Sequence, residues 1–278
     1  MAGLLAIKPA LADVPALAVD ALRLELDLTP KPGLVDSHNS GAHRDMDHAL
    51  FVKSIAAIAP WFRIFERLGG EYAHGPASEQ LRLLRPAGMA CEQAMFSATH
   101  GVNTHKGGIF SLGLLCFAAG RINAQSRRVT AETLCSEVAR LCQGLVAREL
   151  AAQTRAATAG ERQYREFGLT GVRGEVESGF ATVRRFVLPY WTQAHGERRL
   201  HAALLRLMAA NQDSNLVSRG GIEGLRFVQH SAQRLLANGW NRSDLEEMDA
   251  QLIARHLSPG GSADLLSVAY VLSCLSPG

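Results

Sequence analysis

Lysine is nearly missing from this chain: of 29 basic residues among 278, four are lysine (Lys8, Lys31, Lys53 and Lys106), and none forms a run. Without Lys/Arg blocks, the net charge of +3 carries no nucleic-acid footprint. Hydrophobic runs are short as well. "LGLLCFAAG" and "LLSVAYVL" fall far below the roughly 18 apolar residues of a membrane span, so no membrane partner is expected. Aromatic residues make up 6%, no alternating β-branched run occurs, and no hairpin dipeptide separates two such runs, which argues against a sheet. The five cysteines (Cys91, Cys116, Cys135, Cys142 and Cys274) are odd in number, without CxxC and without histidines at zinc spacing. They are expected to be reduced core thiols in the cytoplasm. The opening "MAGLLAIKPALADVPALAV" is as rich in Ala and Leu as a signal peptide, but Lys8 and Pro9 interrupt it and no basic segment precedes it.

What is present points to a helical protein. Apolar residues at 47% and charged residues at 20% describe a globular chain, and its length sits near the upper size for one hydrophobic core. The expectation is a single all-α domain over 1–278, a multi-helix bundle, with 1–12 open to disorder. Apolar residues recur at helical spacing over 13–28, ending at Thr29-Pro30. They recur again over 46–68, where Pro60 predicts a kink or a break. Further helices are expected at about 79–99, 105–122, 130–152, 175–193, 197–210, 221–237, 243–257 and 262–275. "SDLE" at 243–246 has the form of a capping box, and Asp213 and Ser262 are candidate N-caps. The segment 155–174 is the most linker-like, without dividing two domains.

Glycine concentrates with polar residues in five places: "TPKPGLVDSHNSGAHRDMD", "GVNTHKGGIF", "GVRGEVESGF", "DSNLVSRGGIEG" and "PGGSADLL". Each precedes a helical pattern, so the bundle should gather glycine-rich loops at helix N-termini into one cleft. Three share a cation followed by glycine: Lys31 before Pro32-Gly33, Lys106 before Gly107-Gly108, and Arg219 before Gly220-Gly221. Glycine admits a ligand close to the backbone, a helix start offers free N–H groups, and the cation adds charge, so phosphates are the natural guests. The same segments carry Asp36, Asp45, Asp47, Glu175, Glu177, Asp213 and Asp264. Carboxylates beside phosphate-binding cations suggest a nucleotide triphosphate carried with Mg2+. His43 and Asp47 would share a helix face if the helix begins that early.

These five segments, in this order over about residues 25–270, resemble the triphosphoribosyl-dephospho-coenzyme A synthases of citrate lyase and malonate decarboxylase systems. "NSGAHRDMD" followed by "FVKSIAAIAPWF" is closer to the malonate decarboxylase branch. The resemblance implies transfer of the triphosphoribosyl group of ATP to the 2′-hydroxyl of 3′-dephospho-coenzyme A, with adenine leaving. The product would pass to a transferase that loads an acyl carrier protein; homo-oligomerisation is left open. It also implies inversion at the ribose, and hence one displacement with oxocarbenium character. On that basis Lys31, Lys106 and Arg219, with Gly33, Gly107, Gly220 and Gly221, would hold phosphates, and Asn103, Thr104 and His105 would orient substrate. Asp45, Asp213 and Glu175 are the candidate catalytic groups, and Asp47, Asp264 and Asp213 the candidate metal ligands. Two rivals use the same residues: a helical metal-dependent nucleotide or ADP-ribose-type glycohydrolase, and a non-catalytic module that binds a nucleotide or a carrier protein.

Overall fold

The computed structural model describes residues 12–151 and 158–276, so the expectation for 1–12, Ala12 excepted, and part of the 155–174 segment lie outside the described residues. Among the described residues there is no strand, as the sequence led us to expect. The chain runs α1 (Val14–Asp27), α2 (His48–Glu71), α3 (Ala77–Ala98), α4 (Lys106–Ala124) and α5 (Ala131–Cys142), then a π-helical turn (Ala147–Ala151). It continues through α6 (Ala159–Phe167), α7 (Gly171–Glu177), α8 (Ala181–Phe186), a 3-10 segment (Leu188–Gln193), α9 (Gly196–Ala210), α10 (Ser214–Asn238), α11 (Arg242–Ala254) and α12 (Gly260–Cys274).

The core forms around α4, which is apolar on every side and buried along nearly its whole length. By length and composition both α2 and α4 could cross a membrane, although α4 is here the centre of a bundle. The two helices approach closely because glycine faces backbone: a Cβ on Gly69 would run into the carbonyl of Phe117, and one on Gly120 into that of Glu66. Phe62 and Phe65, both on the buried stripe of α2, pack edge to face with ring centroids 6.2 Å apart. One continuous cluster of buried side chains then runs through α1, α5, α9, α10 and α12.

Several expected boundaries are corrected. Pro60 does not break α2, which runs unbroken from His48 to Glu71 with Ile58, Phe62 and Phe65 buried on either side of the proline. The 130–152 helix ends at Cys142, where the Glu177 carboxylate accepts from the N–H groups of Gly144 (2.6 Å) and Val146 (2.8 Å). The 175–193 helix breaks at Gly179 and Phe180, both at positive φ, as Phe180 turns fully into the core. The helix expected from 221 begins at Ser214 and is kinked at Gly220 and Gly221. The capping box at α11 is formed by Asn241 and Asp244, whose side chains take each other's backbone N–H, so Ser243 and Glu246 do not make it. Asp47 is the N-cap of α2, which starts too late for His43 to share its face. Ser262 lies inside α12 and is no N-cap. Four of the five cysteines are buried, while Cys274 is exposed.

The loop before α2 is tied down by two acids. Asp36 accepts from the backbone N–H of Lys31 (3.0 Å), His38 (2.7 Å) and Asn39 (3.0 Å). Asp249 of α11 accepts from Gly33 N–H (2.8 Å) and Asn39 Nδ2 (2.9 Å). Gly33 sits at φ +74°, and a side chain there would strike the Leu257 carbonyl, so glycine fixes this loop against the α11–α12 turn.

Candidate active site

A cavity of about 800 Å³ opens between α1, α3, α4, α7, α10 and α12. Of the residues singled out from sequence, Lys31, Asn103, Thr104, His105, Lys106 and Gly107 line it. So do Glu175, Asp213, Arg219 and Asp264. Gly33, Gly220 and Gly221 do not, and neither do Asp45 and Asp47. The Asp45 side chain is 63% exposed and faces His43 Nδ1 at 3.8 Å, while Asp47 is occupied capping α2 through Leu50 N–H at 2.8 Å.

The glycines at the start of α4 leave room for a carboxylate from α12. A Cβ on Gly107 would collide with Asp264 Oδ2, and Asp264 accepts from the Gly108 N–H. A negative group is favoured at this end of a helix. Even so, burial, with the charges of Glu25 and Asp213 nearby, pushes the Asp264 carboxyl well above the usual carboxylate range. Asp213, almost wholly buried, works differently. It caps α10 through Asn215 N–H (3.0 Å) and reaches the first turn of α12 through Ser262 N–H (2.8 Å) and Oγ (3.0 Å), so one carboxylate joins two helix starts. Burial still raises it.

Lys31, expected at a helix start, lies in the loop instead and is fully buried, its ammonium 2.6 Å from Glu25 Oε1. Sequence reasoning missed Glu25. The signal was there: Ala18, Ala21, Leu22 and Glu25 share the buried stripe of α1, where a carboxylate is costly unless paired. Lys106 opens α4 and pairs with Glu92 at 3.0 Å while staying half exposed. Arg219 is fastened to the Ala42 carbonyl (2.9 Å) and to His43 Nδ1 (2.9 Å). His43 Nε2 in turn meets Ser258 Oγ at 2.8 Å. Burial and the neighbouring Arg219 lower His43 to about 4, keeping it neutral.

His105 has the most telling surroundings. It is buried, with Nδ1 2.7 Å from Ser54 Oγ and 3.2 Å from Thr104 Oγ1, and its ring lies edge-on to Phe51. Ser54, a second residue missed from sequence, also meets Thr104 Oγ1 at 2.6 Å. Burial, with a smaller contribution from Lys31, lowers His105 to about 3. Its Nε2 is buried without a hydrogen-bond partner, on a residue that lines the cavity. Glu175 is held by the Thr182 hydroxyl and, at 3.3 Å, by the Thr182 N–H; burial outweighs these bonds and raises it. Among the described residues no group of three or more His, Cys, Asp or Glu side chains is arranged to hold a metal ion.

A family model described as ATP:dephospho-CoA triphosphoribosyl transferase matches residues 11–277. The chain is 55% identical over 267 residues to a Pectobacterium atrosepticum protein named 2-(5''-triphosphoribosyl)-3'-dephosphocoenzyme-A synthase, covering 94% of this chain and 89% of that one. A Klebsiella pneumoniae protein of the same name is 49% identical over 284 residues, covering 98% and 94%. An Albidiferax ferrireducens protein, named as a probable synthase of this kind, is 54% identical over 269 residues, covering 93% and 89%. No solved structure matches the chain.

Proposed function

The chain belongs to the ATP:dephospho-CoA triphosphoribosyl transferase family, and from that premise we propose that its cavity moves the 5-triphosphoribosyl group of ATP to the 2′-hydroxyl of 3′-dephospho-coenzyme A, with release of adenine. The observation that carries the reading is the meeting, in one cavity, of cations, carboxyls and an imidazole nitrogen without a partner. The product is the precursor of a carrier-protein prosthetic group, handed on to the transferase that attaches it. The wording "NSGAHRDMD" and "FVKSIAAIAPWF" favours a malonate decarboxylase system over citrate lyase. We place the activity in the cytoplasm.

Departure of a base from a ribose builds positive charge at the anomeric carbon, and inversion requires acceptor and leaving group on opposite faces. Lys106, Arg219 and the Lys31–Glu25 pair would set the field around the triphosphate. Asp264 and its neighbour Asp213 fit Mg2+, which takes one or two carboxylates beside phosphate oxygens. Burial first, then the charges of Glu25 and Asp213, make an ionised Asp264 costly, and a cation bound there would offset that cost. When bound, the metal supplies charge neutralisation of the triphosphate. His105 stays neutral across physiological pH; in the tautomer where Ser54 donates to Nδ1, the ring proton sits on Nε2, and we assign it to a hydrogen bond with departing adenine. Glu175, raised by burial, is the carboxyl we assign to the acceptor hydroxyl's proton. Asn103 and Thr104 orient the sugar.

Adenine release from ATP and Mg2+, followed by chromatography with and without 3′-dephospho-coenzyme A, tests the reading. We expect release only with the acceptor, one adenine per product heavier by a triphosphoribosyl unit. Equal release without acceptor would make the protein a glycohydrolase instead. His105→Ala should lower kcat by about 100-fold or more, the usual cost of removing one donor aimed at a developing charge.

A further inference from the structure

One wall of the cavity has no part in this assignment. On α3, Leu81, Leu84, Arg85, Gly88, Met89 and Glu92 all line the cavity, at the i, i+3, i+4, i+7, i+8, i+11 spacing of a single helix face. That face climbs about 17 Å from end to end. Met89 is 65% exposed, a large apolar side chain left out of the core on a cavity wall. Beside it a Cβ on Gly88 would meet nothing within 4 Å. Glycine inside a helix is less stable than alanine, so this opening is kept against the helix's own preference.

Near this strip three charged groups from three elements converge. Glu149, on the π-helical turn, accepts from Arg173 Nε of α7 at 2.8 Å and from Arg85 Nη2 of α3, and all three line the cavity. Burial would raise the Glu149 carboxyl, but the hydrogen bonds from Arg173 and Arg85 outweigh it and hold it below the usual range. The arginine side chains are 60% and 30% exposed, so unlike Lys31 they can change partners at little cost. Two guanidinium forks meeting on one anion match the spread of charge on a diphosphate.

We infer that this wall is the acceptor's subsite: Arg85 and Arg173 take the diphosphate of 3′-dephospho-coenzyme A, and Leu81, Leu84, Met89 and Val172 carry its pantetheine arm. The inference rests on the transfer reading above. Of the two substrates, ATP has no long uncharged arm to use an apolar strip, whereas dephospho-coenzyme A joins such an arm directly to a diphosphate. The arrangement leaves Lys31, Lys106, Arg219 and Asp264 to the triphosphate.

Initial rates of adenine release separate the two substrates. Arg85→Ala and Gly88→Leu should each raise the KM for 3′-dephospho-coenzyme A about tenfold or more, with the KM for ATP within twofold of the unmodified protein. Gly88→Leu fills the strip with every charge intact, so it tests the apolar half alone, and circular dichroism checks that both variants fold. A rise in the KM for ATP instead, or no change for either substrate, would overturn the subsite assignment while leaving the transfer reading standing. Absence of adenine release from the unmodified protein with both substrates present would overturn the transfer reading and the subsite with it.

Discussion

At Asp264 function and stability pull in opposite directions. Its carboxyl is raised in the folded protein, so ionisation at neutral pH costs folding free energy, and that cost fades as pH falls toward the unfolded value near 3.8. Asp264→Asn keeps an acceptor for the Gly108 N–H and removes the charge. Thermal melts should therefore show the variant about 2–4 °C more stable at pH 7.5, with the gain gone by about pH 4, while adenine release is lost. His43 and His105 have the opposite sign. Their folded values of about 4 and about 3 lie below the ordinary 6.5, so each weakens the fold as pH drops through 6 and 5. The variant, relieved of Asp264's compensation, should lose stability more steeply on the acid side than the unmodified protein. At this scale the sequence was partly readable. Asn103, Thr104, His105 and Lys106 are adjacent in the chain and stay together on the cavity wall. The motif around Lys31 does not disclose its partner, because Glu25 belongs to the buried face of another element, and Asp45 and Asp47 fell outside because α2 begins at His48 and takes Asp47 as its cap.

Helices were legible where apolar residues recurred at helical spacing over a long stretch. The pattern over 105–122 became α4 at Lys106–Ala124, and 197–210 became α9 at Gly196–Ala210. Boundaries failed where a distant group decided them: Glu177 capturing the N–H groups of Gly144 and Val146 stops one helix, and the burial of Phe180 breaks another. Glycine carries different meanings in different helices, which composition cannot separate. Gly120→Ala would push the added methyl into the Glu66 carbonyl at the α2–α4 contact, and should cost about 1–3 kcal/mol in a urea titration. Gly88→Ala, facing open space on α3, should instead add about 1 kcal/mol. Reversal of that order would mean that α2 and α4 do not meet through glycine.

Across the whole molecule, one continuous core supports the reading of the chain as a single domain, with the cavity set between the starts of α4, α7, α10 and α12 and the face of α3. All-helical architecture was legible from the scarcity of strand signals, and each of the five glycine-rich segments that precede helical patterns supplies residues to the cavity wall. The acceptor wall was not, because Arg85, Glu149 and Arg173 come from three elements with no shared motif. In the transfer we propose, both polyanions occupy this cavity together and react in one displacement. Initial rates of adenine release over a matrix of ATP and 3′-dephospho-coenzyme A concentrations test it most directly. Double-reciprocal lines that intersect are the predicted result, since both substrates must be bound before adenine leaves. Parallel lines, the mark of a covalent triphosphoribosyl-enzyme formed before the acceptor binds, would contradict it.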